Sequence, residues 1–127
     1  MTLEEAIVYQ IEDLLPQLTG RIYPVTIEQE GSLPAVAYKR ISTRRDPALI
    51  GQGGYYVAMQ FDITAENYTS MRITREDVRL CFENAYGRFT VDAPFIQLVD
   101  VLNEMDGFDT GTNLSLGILE LEFYYSD

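Results

Sequence analysis

The segment between Tyr55 and Ala65 alternates strictly between apolar and more polar side chains, and this pattern constrains the fold more than any other. Successive side chains of a β-strand point to opposite faces of a sheet, so the segment is predicted to be a strand with one buried face. At about 3.3 Å per residue it would span roughly 35 Å, more than a small core needs. We therefore expect part of this strand to project from the body of the protein. The apolar positions are Tyr55, Val57, Met59, Phe61, Ile63 and Ala65.

The N-terminal segment carries the signals of a helix. Its sequence TLEE is a capping box, in which Thr2 accepts an early backbone N–H and Glu5 reaches back. The pattern predicts a helix that runs to about Leu15 and stops near Pro16 or Gly20. The apolar residues at helical spacing are Leu3, Ile7, Ile11, Leu14 and Leu18.

A second helix is predicted over residues 66–87, with Gly87 as its C-terminal stop. Three arginines of this segment, Arg72, Arg75 and Arg79, share one face of that helix. The apolar side carries Met71, Val78, Cys81, Phe82 and Ala85.

Two further strands are predicted before the alternating segment. Residues 20–29 are β-branched and aromatic, but Pro24 cannot donate a ladder hydrogen bond, which indicates a short edge strand. Residues 35–43 form the next strand, although Lys39 and Arg40 are adjacent and interrupt the alternation.

The C-terminal third predicts a hairpin. Residues 94–105 and 114–125 have the composition of strands, and residues 106–113 between them are dense in turn formers. In the last strand Glu120 and Glu122 alternate with apolar residues, so one face of the sheet should be solvated.

The order of these segments is α-β-β-β-α-β-β. It predicts an α+β fold in which two helices pack on one face of a mainly antiparallel sheet. The length of 127 residues and the apolar fraction of 46% fit a single domain, residues 1–127, with one core.

The net charge of −11, from twenty acidic and nine basic residues, argues against sequence-specific binding of nucleic acid, which depends on phosphate neutralisation by Lys and Arg. The first residues are acidic where a signal peptide needs positive charge, and no segment approaches the ~18 apolar residues of a membrane span. We expect a soluble protein made in the cytoplasm, without a membrane partner.

The chain contains one cysteine, Cys81, and no histidine. These two facts exclude an internal disulfide, Cys/His zinc sites and Ser-His or Cys-His nucleophile pairs. Catalysis would have to use carboxylates, and no motif supports a catalytic pair, so we expect neither an enzyme nor a cofactor. Cys81 lies on the apolar side of the second helix and is predicted to be a core residue.

Two glycine-containing motifs have alternative interpretations. The sequence GQGG at Gly51–Gly54 could cradle a phosphate, but a strand rather than a helix follows it and no Walker lysine is present, which favours a hairpin tip. Residues 103–113 cluster acids around Gly107 like a calcium loop. With that glycine aligned, however, Leu102 and Asn113 occupy ligand positions that need acids, so a turn is favoured and no metal is expected.

The segment KRISTRR, residues 39–45, holds four of the nine basic residues of an acidic chain. It could be a solvated strand end, or it could contact the acidic surface of an identical neighbour in a head-to-tail ring. The arginines of the second helix could extend this patch or form ordinary helix-face pairs. The predicted interface with another subunit or a tail tube comprises Arg40, Arg44, Arg45, Asp46, Leu49, Ile50, Gln52, Tyr55, Arg72, Arg75 and Arg79.

The ordered segments resemble those of the tail-completion or tail-terminator proteins of long-tailed bacteriophages. After the amphipathic N-terminal helix come GRIYP at residues 20–24, LPAVAY at residues 33–38 and a variable glycine-rich loop. QFDITAENY at residues 60–68 then leads into a helix, and LELEFYY at residues 119–125 forms the final strand. The resemblance spans nearly the whole chain. Ala35 departs from it, since a larger aromatic residue is expected after the proline.

The resemblance implies a structural subunit without cofactor or reaction. Such subunits assemble, commonly as a hexameric ring, on the head-proximal end of the tail tube, where they stop tube growth and help to join the head. The implied partners are further copies of the chain, the tail-tube protein and a head-completion or connector protein, at the head–tail junction of the virion. The alternatives are a head-side stopper or adaptor, a tail-tube subunit, or an acidic module that binds a basic host protein.

Overall fold

The computed structural model describes residues 1–27, 31–46 and 54–126. It confirms the α+β fold and the predicted order of the elements, with one two-residue strand in addition. The helices are α1 (Leu3–Leu14) and α2 (Tyr68–Phe82), and a 3₁₀ turn covers Pro16–Leu18. The strands are β1 (Ile22–Pro24), β2 (Ala35–Asp46), β3 (Gly54–Ala65), β4 (Gly87–Arg88), β5 (Phe95–Asp109) and β6 (Leu114–Ser126).

The strands form one sheet in the order β1-β2-β3-β6-β5-β4. All neighbours are antiparallel except β1 and β2. The short β1 lies at an edge, as Pro24 predicts. Strand β3 pairs with β2 on one side and with β6 on the other along nearly all its length. The expectation that the alternating strand projects from the body is therefore wrong, because this strand lies in the middle of the sheet.

The core lies between the two helices and one face of the sheet. The central side chain is Phe82 of α2, whose ring centroid is 5.8 Å from that of Phe61 in β3 and 5.3 Å from that of Phe123 in β6. Burying a large apolar side chain contributes about 1.5–3 kcal/mol, so this aromatic cluster binds α2 firmly to the two central strands. Helix α1 completes the core with Leu3, Ile7 and Ile11.

The opposite face of the sheet, here called the open face, carries the alternate residues of β3 and β6. These include Gln60, Asp62, Glu120 and Glu122, all partly exposed. The prediction that one face of the sheet is solvated is confirmed. The two faces explain why β3 and β6 show the cleanest alternation in the sequence.

Both helices begin after a residue whose side chain caps them, and of these caps only Thr2 was predicted. The Thr2 hydroxyl accepts from the backbone N–H of Glu5 at 3.1 Å, and the Asn67 side chain accepts from that of Ser70 at 2.8 Å. The end of α2 differs from the prediction. The helix stops at Phe82, before the predicted stop at Gly87, and Asn84 with φ of 62° adopts a left-handed conformation shortly after its end.

The hairpin of β5 and β6 is longer than predicted. Strand β5 runs to Asp109, so the acids of residues 106–109 belong to a strand and only residues 110–113 form the turn. The apolar–polar alternation of β5 is obscured in the sequence by two register shifts, one between Ile96 and Leu98 and one between Val101 and Asn103.

Candidate assembly surfaces

The basic segment of the sequence lies on the exposed half of β2. Strand β1 pairs only with Val36, Ala37 and Tyr38, and beyond Tyr38 no strand of the described residues lies along the outer edge of β2. Residues 39–45 are exposed. This half of β2 therefore presents both its side chains and its unpaired backbone edge to a partner.

A β-bulge sorts the basic residues of β2 onto two faces. The register shifts between Arg40 and Ser42, and this leaves Ile41 without a partner in β3. As a result Lys39 and Arg44 stand on the open face, while Arg40 and Arg45 stand on the helix side. The adjacent charges of Lys39 and Arg40 have a separate cause, since residues 39–45 are exposed on both faces of the strand.

The arginines of β2 differ in how far they are engaged. The Arg40 guanidinium forms an ion pair with Glu4 of α1 at 2.7 Å. Arg44 lies over the ring of Tyr56, 4.2 Å from its centroid. Lys39 and Arg45 form no ion pair with any residue in the described part of the chain. Lys39 and Arg45 are thus the cations most available to an acidic partner.

An aromatic stack on the open face connects the end of β2 to β6. The rings of Tyr56 and Tyr124 are stacked with centroids 4.4 Å apart, and the Tyr124 hydroxyl donates to Asp46 at 3.1 Å. Desolvation and the neighbouring Asp46 carboxylate raise the pKa of Tyr124. On the helix side Tyr55 packs against Tyr125, with ring centroids 5.7 Å apart. These contacts link the side chains of β2, β3 and β6 at the end of the sheet where Asp46 and Gly54 pair.

Part of the predicted interface cannot be placed. Leu49, Ile50 and Gln52 lie outside the described residues, as do three of the four residues of the GQGG motif.

The arginines of α2 do not extend the basic patch of β2. Arg75 donates to the Asp106 carboxylate at 2.6 Å and to the Met105 carbonyl at 2.7 Å. Arg79 contacts Glu104 at 3.4 Å. These acids belong to β5, which lies two strands beyond β3 on the side away from β2. The idea of one continuous patch is wrong, because the two groups of arginines lie towards opposite edges of the sheet.

The helix-face pairs predicted for α2 are present in part. Arg79 pairs with Glu83 one turn later and with Glu76 one turn earlier. Arg72 is exposed and flanks the cleft formed by these side chains. Arg75 and Arg79 therefore anchor the helix to β5, and Arg72 does not.

Gly117 is a structural residue that the sequence analysis missed. A Cβ atom at this position in β6 would lie 2.4 Å from Sδ of Met71 and 3.4 Å from Nη1 of Arg75. The missing side chain therefore leaves the space in which Met71 and Arg75 cross β6. A glycine inside an alternating apolar strand was the available signal, since it often marks a close approach.

Strand β5 exposes apolar side chains that the sequence analysis also missed. Leu98, Val101 and Leu102 are 49%, 45% and 49% exposed, and Met105 and Phe108 are similarly open. Strand β4 pairs only with Phe95 and Ile96, so no described strand covers the outer edge of β5 beyond Ile96. Long apolar edge strands of this kind are sites at which another chain pairs.

The open face carries a groove of about 430 Å³. It lies between residues 25–27, which follow β1, and residues 106–107 of β5, with Asp62 and Ile118 on its floor. The Asp62 carboxylate accepts a hydrogen bond from Gln60 at 2.7 Å. The hydrogen bond from Arg75 lowers the pKa of Asp106, opposite to the shift that a general acid needs.

Two further expectations from the sequence concern the burial of Cys81 and the absence of a membrane span. Cys81 is buried as predicted, and burial raises the pKa of its thiol to about 11. No helix within residues 1–27, 31–46 and 54–126 is both long and apolar enough to cross a membrane.

Comparison with known proteins identifies the fold. Neither known protein families nor curated proteins give a match to the sequence. Among solved structures, the chain is similar to a chain of the "Virion of native gene transfer agent (GTA) particle" with a TM-score of 0.74. The match covers 98% of this chain and 95% of that chain, at 12% sequence identity. The two chains therefore share a fold over nearly their whole lengths.

Proposed function

We propose that this chain is a structural protein of a phage-type virion, and that it caps the head-proximal end of the tail tube as a ring. The observation that carries the proposal is the fold shared over nearly the whole chain with a component of a gene transfer agent virion. The order of sequence segments that resembles the tail-terminator proteins supports the same role. Fold alone does not determine function, so the surfaces must also suit assembly.

The two exposed sheet edges suit assembly better than catalysis. One edge is basic at β2, and the other, at β5, exposes a row of apolar residues with acids between them. The groove on the open face is lined mainly by apolar residues, and its two carboxylates already accept hydrogen bonds, Asp62 from Gln60 and Asp106 from Arg75. We therefore assign this chain a role in binding other protein subunits, and neither a reaction nor a cofactor.

The net charge of −11 fits a ring through which DNA passes. Like charges repel, so an acidic surface around the channel prevents phosphates from adhering to it. In this role the partners are other copies of the chain, the tail-tube protein below the ring and a head-completion or connector protein above it.

The test removes the gene from the particle that encodes it and measures tail tubes by electron microscopy. Without the cap, tubes should lose their uniform length, and many should exceed the normal length. Supplying the intact chain from a plasmid should restore uniform, head-joined tails. Tubes of normal, uniform length without this protein would contradict the proposal.

A head-side stopper or adaptor and a tail-tube subunit are the alternatives within the same class. They are separated by purifying heads and tails before joining and probing each for the chain. A tail terminator should be found on finished tails in an amount of one ring per tail. Recovery on heads alone, or in amounts that scale with tube length, would assign the chain to one of the alternatives.

A further inference from the structure

The two open edges of the sheet carry opposite charge. The edge of β2 over residues 39–46 has Lys39 and Arg45 without ion-pair partners among the described residues. The edge of β5 over residues 98–103 has Asp100, which is likewise without a cationic partner there. Within the part of the chain that the structure describes, the β2 edge therefore carries positive charge without an anionic partner, and the β5 edge carries negative charge without a cationic partner.

The charge on β5 is unbalanced within the subunit. Asp100 lies directly opposite Glu122 of β6, and like charges at opposed positions of an antiparallel pair are destabilising. A cation brought to this edge from outside would relieve the repulsion. Further along β5 the Met105 carbonyl already accepts from Arg75, so the edge that is free for a partner strand is residues 98–103.

Apolar side chains accompany both edges. Ile41, the bulged residue of β2, is 48% exposed, and Leu98, Val101 and Leu102 project from β5 to a similar extent. These side chains would leave water if the two edges met. Backbone pairing would add hydrogen bonds, charges would give the pairing direction, and the apolar residues would give it stability.

The directions of the strands also match. Within the sheet β2 is antiparallel to β3, β3 to β6, and β6 to β5, so β5 runs opposite to β2. A second copy that continues the sheet in the same orientation therefore places its β2 antiparallel to β5 of the first. Pairing of β2 with β2, or of β5 with β5, would instead oppose like charges.

We propose that residues 39–46 of one copy pair head-to-tail with residues 98–103 of the next, so that adjacent subunits form one continuous sheet. The inference deepens the proposed function, since it names the contact by which a ring would close. It nevertheless concerns only the contact between copies, which can be measured without a tail.

The experiment uses single cysteines placed on the two edges. Ser42→Cys and Asn103→Cys both put a thiol on an exposed, uncharged position of the open face, and the native Cys81 is buried. A bismaleimide with a flexible spacer should yield covalent dimers when the two variants are mixed. Neither variant alone should form dimers, whereas a chain that carries both substitutions should form a ladder of oligomers.

Charge reversal supplies the matched control. Lys39→Glu with Arg45→Glu should reduce the yield of mixed dimers about tenfold or more, and Asp100→Lys in the other partner should recover part of it. Arg72→Glu in α2 also makes the chain more acidic but leaves both edges intact, so it should have little effect. The same variant thereby controls for general repulsion between acidic subunits.

Two results would overturn the inference: no mixed dimers at any protein concentration, or dimers formed by either single variant alone. The proposed function fails separately, by the tail-length test. Mixed dimers together with normal tails in the absence of the gene would retain this contact and reject the tail-terminator role. Overlong tails without mixed dimers would reject this contact and retain the tail-terminator role.

Discussion

Arg75 of α2 and Asp106 of β5 form an ion pair with a distance of 2.6 Å between Nη1 and Oδ1. The arginine side chain is 11% exposed, while the aspartate side chain is 51% exposed. The same Nη1 donates to the Met105 carbonyl, so one buried cation attaches the second helix to the outer long strand of the sheet. The pair also fixes the part of β5 that follows its open edge.

Replacing Arg75 by Met should therefore destabilise the protein by about 1–3 kcal/mol, because the Met105 carbonyl loses its donor and α2 loses its anchor. Urea unfolding followed by circular dichroism measures the change. Arg72→Met is the matched control on the same helix, since Arg72 is exposed. If Arg75→Met lowers the free energy of unfolding no more than Arg72→Met does, the anchoring role is refuted.

The Arg75–Asp106 pair should make stability depend on pH in the acid range. The hydrogen bond from Arg75 lowers the pKa of Asp106 below its usual 3.8. The pair's contribution is therefore complete above about pH 4 and is lost as the pH falls through the lower pKa of the folded state. Asp106→Asn should destabilise at about pH 6 and less at about pH 3, because the contribution of the pair declines as the pH falls below 3.8.

The control for this measurement is Asp100→Asn. Asp100 faces Glu122 and has no cationic partner among the described residues, so its removal should relieve repulsion near neutral pH. An effect of Asp106→Asn that is equal at both pH values would show that the ion pair does not contribute as argued.

Gly117→Ala should destabilise the protein by about 1–3 kcal/mol, because the added Cβ would lie 2.4 Å from the buried sulfur of Met71 and would force it to move. Gly107→Ala is the matched control, since its Cβ would meet Leu116 at an ordinary 3.5 Å. Thermal unfolding compares the two variants. If the steric conflict with Met71 is the cause, Gly117→Ala should lower the melting temperature much less when Met71 is also replaced by Ala.

Removing the loop between β2 and β3 should separate folding from assembly. Asp46 and Gly54 are opposed residues of the antiparallel pair, so a two-residue Asn-Gly turn in place of residues 47–53 can close the hairpin. We expect an unchanged circular dichroism spectrum and a melting temperature within a few degrees. Ring formation or head joining should be lost, and full assembly by this variant would remove the loop from the proposed interface.

The local patterns of the sequence predicted most of the elements, for identifiable physical reasons. The alternation of β3 and β6 is strong because both strands are central, with one face against the helices and the other partly solvated. Thr2 and Asn67 cap the helices through their own side chains, which is local chemistry. The adjacent Lys39 and Arg40 looked irregular because this half of β2 is exposed on both faces, so neither face has to be apolar.

The long-range relationships could not be predicted from the same patterns. Arg75 meets Asp106 only because α2 crosses β6 at Gly117 and reaches β5, and nothing in the local spacing of these residues records that approach. For this reason the α2 arginines were wrongly grouped with those of β2. The exposed edge of β5 was missed because its apolar residues look like core residues until the strand order is known.

The position of the chain in the virion tests the central claim most directly. Cryo-electron microscopy of isolated tails, with the ends resolved, should show one ring of this chain at the end that joins the head. Its subunits should be connected through β2 and β5, with the helices on one side of the continuous sheet. Finding the chain along the tube, on the head alone, or nowhere in the particle would contradict the account.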